Sequence, residues 1–130
     1  MDRVRLPLFL LRIGVFIVML MWTLDKFVRP GHAAGIFKKF YGVDGISPTM
    51  LSVVGAAELL LLVGFVTATA KRYTYGLVLL LHAISTLASY QQYLAPFDNL
   101  LFFAAWPMLA ACIALYLFRD LDTLWAMQNT

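Results

Sequence analysis

LPLFLLRIGVFIVMLMWTLDKF, residues 6–27, is an apolar run broken only by Arg12 near one end and by Asp25 and Lys26 near the other. The hydrocarbon core of a bilayer takes about 20 apolar residues in helical form, so this one stretch is long enough to cross. It exceeds the roughly 7–15-residue apolar core of a secretory signal. Trp22-Thr23-Leu24-Asp25-Lys26 also offers no small-residue cleavage site. We read the run as a retained first span.

Working outward, three more runs follow. Pro48 to Ala70 opens on Ser47-Pro48, the usual helix-start order, and closes on Lys71-Arg72. Tyr73 to Tyr90 is tied to it by a short turn, and Asn99 to Phe118 follows Pro96-Phe97-Asp98 and stops at Arg119-Asp120. The runs are about twice the length of a barrel strand and lack period-2 alternation, so they are helices. Pro107 predicts a kink in the fourth. Between the first two runs, Ala33, Ile36, Phe37 and Phe40 fall at i, i+3, i+4, i+7, with Lys38 and Lys39 turned elsewhere. That spacing predicts an amphipathic helix over 32–41, suited to a membrane surface. Leu121, Leu124 and Trp125 repeat the pattern weakly near the C-terminus. The expected architecture is a single all-α domain over 1–130, an antiparallel four-transmembrane-helix bundle with spans of about 6–27, 48–70, 73–90 and 99–118.

Composition agrees. The chain of 130 residues is 62% hydrophobic and 13% charged, against roughly 45–50% and about 25% for soluble domains. A soluble enzyme, a secreted disulfide scaffold and a disordered tail are excluded. The net charge of +3 comes from basic residues near helix ends, where they meet lipid phosphates; this is no nucleic-acid footprint. Four spans place both termini on one side. Arg3, Arg5, Arg12, Lys71, Arg72 and Arg119 lie there, against Lys26, Arg29, Lys38 and Lys39 on the other side. The positive-inside rule then favours cytoplasmic termini in the cell (inner) membrane. Cys112 is the lone cysteine. It excludes an internal disulfide or a C-x-x-C pair, so the chain is no thiol oxidoreductase by itself, and it reads as a small core residue.

Ionisable groups at membrane depth are costly and mark sites or internal pairs. Arg12, Glu58 and His82 qualify. On straight helices Glu58 and His82 fall within ~5 Å of each other in depth, and Arg12 is expected to reach towards them. His82, Ser85, Thr86 and Ser89 form one polar face of the third span, and Arg12, Met19, Thr23 and Lys26 one face of the first. Both faces should point inward. Asp25, Lys26, Gln92 and Asn99 gather at the opposite, outer boundary. Bland alternatives stand beside this reading: Arg12 snorkelling to headgroups, Glu58 in a structural ion pair, and the hydroxyls as interhelical glue. Ser52/Ala56 and Gly64/Ala68 read as small-residue packing pairs. The sequence has no metal-ligand cluster, nucleophile triad or phosphate loop. Haem is disfavoured because His32, the second histidine, lies in the connector.

Leu11-Arg12-Ile13-Gly14, Trp22-Thr23-Leu24-Asp25-Lys26 with Pro30, and Val54-Gly55-Ala56-Ala57-Glu58-Leu59 running on to Gly64 and Lys71-Arg72 resemble the DoxX-like family of small four-helix membrane proteins. His82 in the third span and Asn99 before the fourth fit the same pattern. The resemblance spans about residues 25–120. Family members often close on a Gly-Pro-Gly turn and a Leu-Asp ending, of which Phe118-Arg119-Asp120-Leu121-Asp122 keeps only Leu-Asp. The resemblance implies association with membrane oxidoreductase systems, including small subunits of thiosulfate:quinone oxidoreductases; eukaryotic relatives act as assembly chaperones.

Two functions follow as expectations. In the first, the chain is an accessory or ligand-binding subunit of a quinone-linked redox system, with Arg12, Glu58, His82 and Ser85 binding a quinone-like ligand or relaying a proton. In the second, it is a non-catalytic assembly protein in the bilayer that recruits membrane or redox partners, or further copies of itself, through faces such as Leu100-Leu101-Phe102-Phe103. No self-contained set of catalytic groups is present in either case.

Overall fold

A computed structural model describes residues 2–128, with the side chains from residue 3 onward. Its helices are α1 (Asp2–Val28), α2 (Pro30–Tyr41), α3 (Pro48–Val66), α4 (Lys71–Ala88), α5 (Tyr90–Tyr93) and α6 (Ala105–Leu117), with 3-10 turns at Pro96–Asp98 and Leu100–Ala104. There is no strand among the described residues. Arg3–Val28, Pro48–Val66 and Leu100–Leu117 are long and apolar enough to cross a membrane. The sequence expectation of four such helices therefore holds for three. Lys71, Arg72 and the polar face around His82 dilute α4, which has the length of a span without the composition of one.

The four long helices pack α1 on α3, α3 on α4 and α4 on α6, and α6 returns to α1. Hydrophobic area cannot drive such packing where the outer surface is itself apolar, so close approach and internal polar pairs carry it. Gly55 is one such place: a Cβ there would come within 2.7 Å of the Phe27 ring. Gly64 and Ala68 are likewise used inside, whereas Ser52 and Ala56 are exposed. The core runs from Leu8, Val15 and Met19 across Leu62 and Phe65 to Tyr75, Val78, Cys112 and Leu115. Cys112 is a buried free thiol, as its apolar surroundings imply.

Local signals explain several helix ends. The Ser47 hydroxyl accepts from the Met50 N–H at 3.2 Å, and Pro48 fills the first helical position. Gly42 ends α2 in the left-handed conformation (φ +70), its N–H returned to the Phe37 carbonyl. Pro107 occupies the first turn of α6, where its missing N–H has no intrahelical partner to lose. The departure from α winding accordingly falls ahead of it, over Leu100–Ala104.

Two flanking segments differ from expectation. The apolar face of α2 turns onto the bundle, with Ala33 buried and Ile36, Phe37 and Phe40 half-buried, so the helix roofs one end of the molecule. The C-terminal segment after Phe118 forms no amphipathic helix. It folds back in turns across the other end, where Met127 and Gln128 donate their N–H groups to the Thr67 and Ala68 carbonyls. Leu121 packs on the core, and Trp125 stands exposed.

Candidate functional site

The polar faces read from the first and third spans both point inward. Arg12, Met19 and Thr23 on α1 are buried, as are His82 and Thr86 on α4. A carboxylate or imidazole in an apolar bundle needs a partner, and the stripes provide partners at two different levels.

Under α2 lies a chamber of about 660 Å³. Glu58 reaches into it from α3. Its carboxylate accepts from the Thr23 hydroxyl at 2.9 Å and lies 3.2 Å from the Lys26 ammonium. Lys26 also stands 5.9 Å from the centre of the Phe37 ring, which carries its charge on the roof side. One turn away, Asp25 accepts from Arg29 at 2.7 Å and meets Nδ1 of His32 at 2.6 Å, fastening the start of α2 to the end of α1. The far end of α2 is held by a 2.7 Å hydrogen bond between the hydroxyls of Tyr41 and Ser85. Trp22, Phe37 and Phe40 supply apolar wall. Each carboxylate is thus paired within a half-buried space that also offers hydroxyl and ammonium donors.

A second cavity of about 630 Å³ runs alongside and is nearly all apolar, between α1, α4 and the start of α6. Trp22, Ile36, Phe40, Ser85, Ser89 and Phe102 line both cavities and form the boundary between them. His82 belongs to this groove. Its Nε2 lies 3.0 Å from the Ala105 carbonyl oxygen, and Trp22 stacks on its ring with centroids 6.1 Å apart. The Thr86 hydroxyl donates to the His82 carbonyl at 2.8 Å. Among the described residues no cluster of three or more potential metal ligands occurs.

The expected three-residue site divides. Glu58 and His82 occupy adjoining cavities, with Ser85 on the shared wall, but Arg12 does not reach towards them. It is buried at the opposite end of the bundle, where its guanidinium pairs with Asp122 at 3.0 Å, both side chains 0% exposed. It also donates to the Leu124 and Trp125 carbonyls. Asp122 in addition accepts from the Tyr75 hydroxyl, and the Lys71 ammonium donates to the carbonyls of Arg119 and Asp122. This second centre anchors the C-terminal segment. Its only trace in the sequence is an aspartate just beyond the last apolar run.

The expected outer cluster divides too. Asp25 and Lys26 line the chamber. Gln92 is buried on α5, and Asn99 donates to the Ala95 carbonyl at 3.0 Å within its own turn; neither lines either cavity. In their place stand Arg29, at the junction of α1 and α2, and His32 and Tyr41, which α2 brings in by folding back. Comparison with protein-family models, with curated proteins and with solved structures finds no match for the chain.

Proposed function

We propose that the chain is a four-span integral membrane protein that binds an amphipathic, quinone-like ligand where the polar chamber meets the apolar groove. In this reading it serves a membrane redox system as a ligand-binding or accessory subunit. One observation carries it: two cavities of ligand size, one holding the charged groups of Asp25, Lys26 and Glu58 within apolar walls and the other nearly all apolar, share a wall of Trp22, Phe40, Ser85 and Phe102. Together they suit a molecule with a polar ring and a hydrocarbon tail, since small-molecule sites run to about 300–1,000 Å³ with few, placed polar groups. Glu58, Lys26 and the Tyr41–Ser85 pair would meet the head, and Leu10, Val18 and Met108 the tail.

In the same reading α4 crosses the membrane with its polar face inward. The crossing of α3 puts the two basic pairs, Lys38-Lys39 and Lys71-Arg72, on opposite surfaces, and the crossing of α4 completes four spans with the termini cytoplasmic by the positive-inside rule. The resemblance to DoxX-like proteins contributes the redox association.

The test is binding of a decyl-substituted benzoquinone and its hydroquinone to the purified protein in lipid nanodiscs. Glu58→Gln removes the anion facing Lys26 and should weaken binding at least about tenfold, as loss of a charge-assisted hydrogen bond does. The folded, inserted protein should be retained. If neither form binds and a stoichiometric partner is recovered from native membranes, the protein is an assembly factor instead.

A further inference from the structure

His82, on the groove wall, has a buried ring nitrogen without a hydrogen-bond partner. The Ala105 carbonyl oxygen can only accept, so Nε2 of His82, 3.0 Å away, carries a ring hydrogen. The Thr86 hydroxyl lies 3.2 Å from Nε2, but its hydrogen goes to the His82 carbonyl, so towards the ring it can only accept. In the neutral ring Nδ1 is therefore the acceptor nitrogen. It is buried in a residue only 1% exposed and has no hydrogen-bond partner. An orphaned acceptor in apolar surroundings is costly, and the cost disappears when a donor arrives.

Nothing fixed in the wall supplies that donor. Ser89 donates to the Ser85 carbonyl at 3.0 Å, and the Ser85 hydroxyl is engaged with Tyr41. Trp22 covers the imidazole face, yet it is itself 48% exposed and lines both cavities. It is the side chain that can slide aside and let a small polar group reach the ring.

We propose that the site selects the hydroxyl-bearing form of its ligand, a phenol or quinol, whose O–H donates to Nδ1 of His82 beneath Trp22. The carbonyl form of the same ring has no hydrogen to give and leaves Nδ1 as it was. This rests on the ligand-binding reading above and adds to it the chemical form that the site prefers.

The experiment compares 4-heptylphenol with its methyl ether, 1-heptyl-4-methoxybenzene, by calorimetric titration of the whole protein in nanodiscs. The two share ring and tail, and the ether replaces the one donor hydrogen with a methyl group. The phenol should bind about tenfold more tightly or better, the factor expected when a buried acceptor gains its only partner. His82→Gln keeps an N–H for the Ala105 carbonyl and lacks the ring acceptor; it should bring the two affinities together. A second measurement needs no variant: the 15N resonance of His82 Nδ1 should move on adding the phenol and stay in place on adding the ether. Equal affinities in the wild type, or an unmoved Nδ1 resonance with phenol bound, overturn the selection while leaving the ligand site standing. Failure of both compounds, and of the quinone pair, to bind overturns the site itself.

Discussion

Asp122→Asn probes the polar centre at the end of the bundle by removing a charge and little volume. The carboxylate is the bonded anion for Arg12, and it lies close to Lys71, whose ammonium is held otherwise by two carbonyls. All three side chains are essentially sealed from solvent. Removing one member of a buried pair leaves an uncompensated charge, at about 3–5 kcal/mol. Here two cations lose their anion, so the upper part of that range is expected. The amide can still bond Arg12 and Tyr75 in part, which returns roughly 1 kcal/mol. The net expectation is a loss of about 3–4 kcal/mol, against the 5–15 kcal/mol that usually separates folded from unfolded protein. Reversible unfolding in mixed micelles, followed by tryptophan fluorescence, measures it. Adding Arg12→Met to Asp122→Asn removes one orphaned charge and should recover about 1–2 kcal/mol, a coupling between contacting residues. An Asp122→Asn protein within ~1 kcal/mol of wild type, or strictly additive effects in the double variant, would refute the assignment of this centre as the anchor of the C-terminal segment.

Three further outcomes follow from the packing. Gly55→Val drives a branched side chain into the Phe27 ring and should cost about 1–3 kcal/mol, with Phe27→Ala restoring part of it, as measured by unfolding of the single and double variants. Tyr41→Phe deletes the Tyr41–Ser85 bond; it should lower global stability by less than about 1 kcal/mol while speeding amide exchange across residues 30–41, read by mass spectrometry. Single cysteines placed at Arg72 and Asp98, which bracket α4, should react with an impermeant maleimide from opposite faces of sealed vesicles, Cys112 staying silent because it is buried. Labelling from one face would remove α4 as a span.

The helical class and the helix positions were legible because an apolar run of span length has few alternatives: its backbone must bond within itself wherever water is absent. Ser47-Pro48 marks the start of α3 to the residue, since capping is a local bond. The inward faces of α1 and α4 were legible as well, because period-3.6 spacing puts Thr23 with Lys26, and His82 with Thr86, on one side of a helix whatever surrounds it. α4 has the length of a span, but its polar stripe and basic start make it the least apolar of the four.

What the sequence by itself determined, then, is the apolar helices of span length and which residues seek the interior. Only the tertiary structure decided which of those residues meet. Arg12 and Glu58 were both correctly placed as inward groups, but helix spacing carries no information about contacts between chain segments 35 or 110 positions apart. Arg12 found its anion in a segment that follows the last helix, because that segment folds back over the end where Arg12 emerges. Glu58 found Lys26 and Thr23 because Gly55 lets α3 approach α1 closely. The roof over the chamber exists because α2 buries its apolar face on the bundle, bringing His32 and Tyr41 to a site whose other members lie on three different helices. Partner choice is settled by these long-range closures, which is why the sequence supplied the groups and the fold supplied the two separate centres.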